Sequence, residues 1–125
     1  LCLLRGADVF CMAVAVAPVT NWRFYDSIYT ERYMGLPRHN AKGYDENAPL
    51  FYTDALKGKL LVMHGTADDN VHFQNTMRLT EALIRAGKQF DLFTFPDRNH
   101  FIYGYGARGY LYTHMDQYIT ENLLR

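Results

Sequence analysis

Serine is almost missing from this chain. Ser27 is the only one among 125 residues, and its neighbours Asp26 and Ile28 lack the glycines that a strained nucleophile elbow requires. No Gly-x-Ser-x-Gly occurs, so these residues hold no hydroxyl suited to forming an acyl-enzyme. Cysteine is scarce as well. Cys2 and Cys11 make no disulfide framework, and with one placed on a helix and the other at a strand start, the spacing predicts two free, buried thiols. Charge of one sign is not in excess: 13 Lys+Arg stand against 13 Asp+Glu, a formal net charge of +0, which argues against nucleic acid or an acidic membrane surface as the partner. No apolar run is long enough to span a bilayer. The opening Leu1-Cys2-Leu3-Leu4-Arg5-Gly6 has no initiator Met, basic leader or long apolar stretch, and reads as a chain cut inside a helix rather than as a signal peptide.

What is present is ample core material, 49% hydrophobic with 15% aromatic, enough for one modest domain. Leu1 to Arg5 reads as a helix end stopped by Gly6 in a left-handed conformation. Met12 to Ala17 is apolar throughout and closed by Pro18, the pattern of a central parallel strand covered on both faces. From Thr20 to Met34, Tyr25, Tyr29 and Tyr33 recur at i, i+4, i+8 and predict one helical face, broken at Gly35-Leu36-Pro37. Residues 38–54 form a polar connector with at most a short helical turn. Lys59 to Met63 is a second buried strand. Phe73 to Ala86 is a helix with Thr76, Leu79, Leu83 and Ala86 inward, Arg78, Glu81 and Arg85 outward, and Gly87 as its stop. Phe90 to Phe95 is a third strand. Gly104, Gly106 and Gly109 loosen the chain before a last helix, Tyr110 to Leu124, whose apolar face is Leu111, Met115, Tyr118, Ile119 and Leu123. Strands alternating with helices at this spacing mean βαβ units and a parallel sheet, an α/β fold.

The chemistry gathers after the second and third strands. His64-Gly65-Thr66-Ala67-Asp68-Asp69-Asn70 sets two carboxylates at the carboxyl edge of the sheet, where open α/β sheets bind ligands. The third strand runs into Pro96-Asp97-Arg98-Asn99-His100. An acid after one strand and a histidine after the next is the back half of a Ser…Asp…His order. An acid in that role holds the imidazole in one tautomer and stabilises the imidazolium. Two readings stand side by side. In one, Asp68 or Asp69 pairs with His100; in the other, the aspartates are ordinary caps before a helix and His100 is a surface residue. His64, at a strand end before glycine, reads as a packed, hydrogen-bonded structural residue. His64, Asp68, His72 and His100 could in principle surround a metal, but their spacing matches no zinc pattern, and nothing calls for a cofactor. Val19, Trp22, Tyr25 and Tyr29 follow the first strand closely. They form either a core-facing stripe or an apolar pocket with phenolic edges suited to a compact ring such as proline.

The stretches Ala17 to Pro37 and Leu61 to Gln74, with Tyr112-Thr113-His114-Met115, resemble the dipeptidyl peptidase IV branch of the prolyl oligopeptidase family, and the likeness covers nearly the whole chain. The resemblance implies the C-terminal part of an α/β-hydrolase fold, residues 1–125 being a partial catalytic domain without its β-propeller. It implies a serine exopeptidase that releases dipeptides, or tripeptides, after a penultimate proline or alanine. Carried over by motif, Asp68 rather than Asp69 is the triad acid and His100 the base. Asn70 binds a substrate carbonyl, and Val19, Trp22, Tyr25, Tyr29 and Val71 line the proline pocket. The elbow serine, the oxyanion tyrosine and the acidic residues that hold the substrate's amino group would lie outside this chain, which alone is expected to be inert. The likeness also implies dimerisation through residues 90–95 and 110–124, and an exported enzyme of a bacterial periplasm or cell envelope. Two other readings remain: a different α/β-hydrolase, such as an esterase or acylaminoacyl peptidase, and a non-catalytic homo-oligomeric module that pairs through the open edge of strand 12–17.

Overall fold

The computed structural model describes residues 1–123. Its elements are α1 (Cys2–Arg5), β1 (Met12–Val16), a 3₁₀ turn (Trp22–Phe24), α2 (Ser27–Met34), α3 (Ala41–Glu46), a second 3₁₀ segment (Pro49–Ala55), β2 (Lys59–Gly65), α4 (Gln74–Arg85), β3 (Asp91–Phe95) and α5 (Ala107–Leu123). The three strands form one parallel sheet in the order β1-β2-β3, with Ala15 opposite Val62 and Met63 opposite Phe93.

Alternation along β2 builds the layers. Leu60 and Val62 face a cluster made with Leu3 and Leu4 of α1 and Leu79 and Leu83 of α4. Leu61 and Met63 point the other way, onto Phe95, Ile102, Leu111 and Tyr118. Burying each of these β2 side chains contributes about 1.5–3 kcal/mol. β2 is thereby the central strand of the chain. β1 is half-buried, has Val16 exposed, and pairs on one side only among the described residues, which leaves its other edge open, as its lack of a preceding strand in this sequence implies.

Other expectations are corrected in detail. Cys2 and Cys11 are free but exposed, because α1 turns only Leu3 and Leu4 inward and Cys11 precedes β1. Gly6 has φ −117° and so is not left-handed; a Cβ there would meet the Phe10 ring at 3.0 Å, so close approach favours glycine. The aromatic segment is not one helix: Tyr25 sits between the 3₁₀ turn and α2, where Asp26 caps the helix by accepting from Tyr29 N–H. The connector is more ordered than expected, because Asn40 caps α3 and Tyr44 beneath it is fully buried. α5 starts at Ala107, so Gly109 lies inside the helix, and Ile119 and Leu123 are largely exposed. The helix end expected at Leu124 lies outside the described residues. α4 keeps Leu79 and Leu83 inward, with Glu81 paired to Arg85 at 2.7 Å on its outer side. It stops at Gly87, whose φ is +65°. No helix among the described residues is long and apolar enough to cross a membrane.

One glycine decides how the sheet edge is built. A Cβ at Gly65 would collide with the carbonyl oxygen of Arg98 and sit 2.9 Å from that of Asn99. β2 therefore ends in a residue small enough for the loop after β3 to lie against it. Gly65→Ala is expected to destabilise the chain by about 1–3 kcal/mol, the usual cost of overpacking a close contact. Urea denaturation should show a lowered midpoint; an unchanged midpoint would contradict this packing.

Candidate active site

The loop after β2 and the loop after β3 are joined backbone to backbone. Thr66 N–H donates to Phe95 C=O (3.0 Å) and Ala67 N–H to Arg98 C=O (3.1 Å). Asp97 N–H donates to Thr66 Oγ1 at 2.9 Å. Left-handed turns at Asp97 (φ 55°) and Ile102 (φ 54°) flank the middle of the β3 loop. The first conformation suits aspartate. The second is strained for a β-branched residue, and Ile102 holds it with its side chain 1% exposed among Met63, Phe95 and Leu111. Between these two turns the chain presents His100.

Asp68 and His100 meet. The Asp68 carboxylate has no solvent-exposed surface, and its Oδ2 accepts from His100 Nδ1–H at 2.8 Å. The same oxygen faces His64 Nε2 at 3.0 Å. Oδ1 accepts from Asn70 N–H and Val71 N–H, both at 2.9 Å. The capping reading and the pairing reading of this aspartate thus describe its two oxygens. One closes the turn that leads to α4, and the other holds imidazole. Burial pushes the Asp68 carboxyl up, but the bonds from His100, the Asn70 amide and His64 outweigh it and hold the group below the usual carboxylate range. Asp69, one residue on, is exposed and makes no such contact.

Because a carboxylate only accepts, the His100 proton toward Asp68 sits on Nδ1, which leaves Nε2 of the neutral ring with a lone pair. The His100 side chain is 26% exposed. It borders a cavity of about 630 Å³ together with Phe24, Tyr25, Asn70, His72 and Phe101. Across that cavity Tyr25 Oη–H donates to Asn70 Oδ1 at 2.7 Å. Burial first, then the neighbouring Asp26, Tyr29 and Asp68, push the Tyr25 phenol up, so it stays a donor. With its oxygen occupied, Asn70 keeps its Nδ2–H₂ group for another acceptor. An imidazole with a bare Nε2, an amide donor and aromatic walls around one hollow can hold a ligand that carries a carbonyl and move a proton.

The other expected pocket residues are near but differently placed. Trp22 and Tyr29 stack, with ring centroids 6.3 Å apart, and line a separate hollow of about 140 Å³ with Tyr33. Tyr25 packs edge-on to both, at 6.0 and 5.5 Å, and so joins that cluster to the larger cavity. Val71 is buried and contributes its amide to Asp68. Val19 is half-buried and lines neither hollow. Tyr25, Asn70 and His100 therefore share one space, with Trp22 and Tyr29 one ring behind.

Asn75 and Thr66, which sequence reasoning did not single out, and Thr76, read there only as an inward residue of its helix, hold this arrangement. Asn75, fully buried on α4, accepts Thr20 N–H (3.0 Å) and donates to the Phe24 and His72 carbonyls. It ties the aromatic segment to the acid loop. Thr66 pins Asp97, and Thr76 bonds His64 at 2.7 Å. The available signal was a polar residue on the inward stripe of an amphipathic helix, which must find a partner when buried. Among the described residues no group of three or more His, Cys, Asp and Glu is arranged to hold a metal ion.

Comparison with known proteins places the chain in a family and matches its fold. The prolyl oligopeptidase family matches residues 1–125. A protein described as "Probable dipeptidyl-aminopeptidase B" from Metarhizium robertsii is 48% identical over 118 residues, which is 93% of this chain and 13% of that protein. Its counterpart from Sclerotinia sclerotiorum is 49% identical over 119 residues, again 93% of this chain and 13% of the relative. The crystal structure of Porphyromonas gingivalis dipeptidyl peptidase 4 superposes with a TM-score of 0.94 at 50% identity, covering 97% of this chain and 17% of that one. The chain thus spans a small part of the length of the relatives it matches. Its parallel sheet flanked by helices has the α/β-hydrolase architecture of that neighbour's peptidase domain. By sequence and by fold, this chain belongs to the prolyl oligopeptidase family.

Proposed function

We propose that this chain supplies the acid and base of a serine exopeptidase whose nucleophile lies on a part of the protein outside these 125 residues. The observation that carries the reading is the 2.8 Å bond from His100 Nδ1–H to a buried, ionised Asp68. That bond fixes the tautomer in which Nε2 of His100 can take the serine proton. The carboxylate stabilises the imidazolium that forms, and the same proton then passes to the departing amine. The Asn70 amide, oriented by Tyr25, donates to a substrate carbonyl. Tyr25, backed by Trp22 and Tyr29, gives a proline or alanine side chain an apolar wall, so dipeptides or tripeptides ending in those residues are the proposed products. The names of the matched relatives support dipeptide release. Two copies pairing through β3 and α5 is the proposed assembly; Leu92, Tyr112 and Leu123 are exposed there.

Two outcomes test the reading. An enzyme joining this chain to an upstream elbow serine should hydrolyse Ala-Pro-p-nitroanilide, whereas the isolated 125 residues should give only the buffer rate. In that enzyme Asp68→Asn should lower kcat on the order of 10⁴-fold with little change in KM. Preference for a simple p-nitrophenyl ester over the dipeptide anilide would favour a general esterase instead, and turnover by the isolated chain would refute the division of labour.

The ionised acid also predicts a pH dependence of stability. The folded-state pKa of Asp68 lies below its unfolded value of about 3.9, so its contribution is fully present above about pH 5 and is lost as pH falls through the folded value. The stability gap between the native chain and Asp68→Asn, measured by urea midpoints, should be open at pH 7 and narrow toward pH 3. A gap of constant size would mean that the charge of Asp68 contributes nothing to the fold.

A further inference from the structure

We infer that His64 is a positioning residue for the acid, its Nε2–H holding Asp68 Oδ2 in place and sharing that oxygen with His100. The inference rests on the reading of Asp68 and His100 as acid and base.

His64 lies on β2 with no exposed surface. Its Nε2 faces two acceptors, Asp68 Oδ2 at 3.0 Å and Val71 C=O at 2.8 Å. A carbonyl cannot donate, so Nε2 carries a proton in either charge state of the ring. Nδ1 lies 2.7 Å from Thr76 Oγ1, and in the neutral ring the hydroxyl donates to it. Phe73 meets the ring edge-on at 5.4 Å. Every polar atom of His64 is thus partnered, and the ring cannot turn without losing all three bonds.

A carboxylate has about four lone-pair sites. Asp68 fills them with the Asn70 and Val71 amides on Oδ1 and the two imidazoles on Oδ2. The amides fix one oxygen. Of the two donors on the other, His100 stands on a partly exposed loop, whereas His64 is locked inside the sheet. The rotation of the carboxylate plane is therefore set by His64, the donor that is itself held at both ring nitrogens. A space-filling role needs no such contacts, since the adjoining Leu61, Val62 and Met63 fill the same strand with apolar side chains.

Sharing has a chemical consequence. With Oδ2 divided between two N–H groups, the charge felt by His100 is smaller than an undivided carboxylate would supply. Removing the His64 donor leaves Oδ2 to His100 alone, which favours the imidazolium. The ionisable groups facing Asp68 are His64 from β2, His100 from the loop after β3 and Tyr25 from the aromatic segment. Arg23, Asp26, Asp69 and His72 border the cavity that His100 shares. Among the described residues each imidazole has Asp68 as its acidic partner.

Three variants test this in the serine-bearing enzyme. His64→Leu should move the acidic limb of kcat/KM to higher pH by roughly half a unit to one unit. It should also lower kcat on the order of 10-fold to 100-fold through misplacement, with KM little changed. His64→Gln, whose amide nitrogen can stand where Nε2 stood, should restore both. Thr76→Val, gentler on the fold, should shift the limb in the same direction by less. A native-like limb in His64→Leu and Thr76→Val, or a limb in His64→Gln displaced as far as in His64→Leu, would overturn the inference. A second readout needs neither serine nor substrate. In the 125-residue chain, the low-field proton resonance of the His100–Asp68 bond should move downfield in His64→Leu and Thr76→Val and stay in place in His64→Gln. That shift in a chain whose complete enzyme lacks peptidase activity would uphold the positioning role while refuting the peptidase reading. Absence of the shift would refute the positioning role whatever the activity.

Discussion

A single buried carboxylate organises the sheet edge. Asp68 is out of contact with water, which alone would disfavour its charge, and it remains ionised because four N–H groups converge on it. Two of those groups are backbone amides of its own turn, and the other two are imidazoles from β2 and from the loop after β3. Removing any one would leave buried charge short of a partner, a loss of the kind that costs 1–3 kcal/mol or more. Local chain folding, sheet packing and the placement of His100 are therefore coupled through one side chain.

The scaffold makes that convergence possible by close approach rather than by bulk. Gly65 lets the two loops touch, and their backbone bonds run through Thr66, Ala67 and Arg98. Ile102 takes an unfavourable φ to drop its side chain into the core beneath α5, and its burial holds the far end of the His100 loop. On the other side Asn75 binds the segment after β1 to the start of α4. The aromatic cluster and the Asp68–His100 pair thus belong to one hydrogen-bonded frame, with the cavity between them.

Much of this was legible in the residues. The runs read at 12–17, 59–63 and 90–95 match β1, β2 and β3 to within two residues at each end, and the stripe of Leu79 and Leu83 is buried, because period and burial follow directly from side-chain direction. Placing Asp68 and His100 after consecutive strands was enough to bring their loops together once those strands proved to be neighbours. Less legible was anything set by partners distant in sequence. The apolarity of β1 said that its faces are covered but not which strand pairs with it, because pairing order is not written in composition. The tyrosine spacing overextended α2, because Asp26 captures the Tyr29 amide and starts the helix after Tyr25. His64 read as a packed histidine, and it is one; that its fixed ring also grips the acid depends on an oxygen four residues away whose position only the turn determines.

The claim on which the account turns is that His100 is held as a base, with its proton on Nδ1 toward Asp68 and its Nε2 bare. Multiple-bond ¹H–¹⁵N correlation spectra of the ¹⁵N-histidine-labelled chain at mildly alkaline pH report this tautomer directly. The account predicts a protonated Nδ1 and an unprotonated Nε2 for His100, with Asp68→Asn abolishing the distinction. A native His100 that carries its proton on Nε2, or whose tautomer does not respond to the loss of the Asp68 charge, would contradict it.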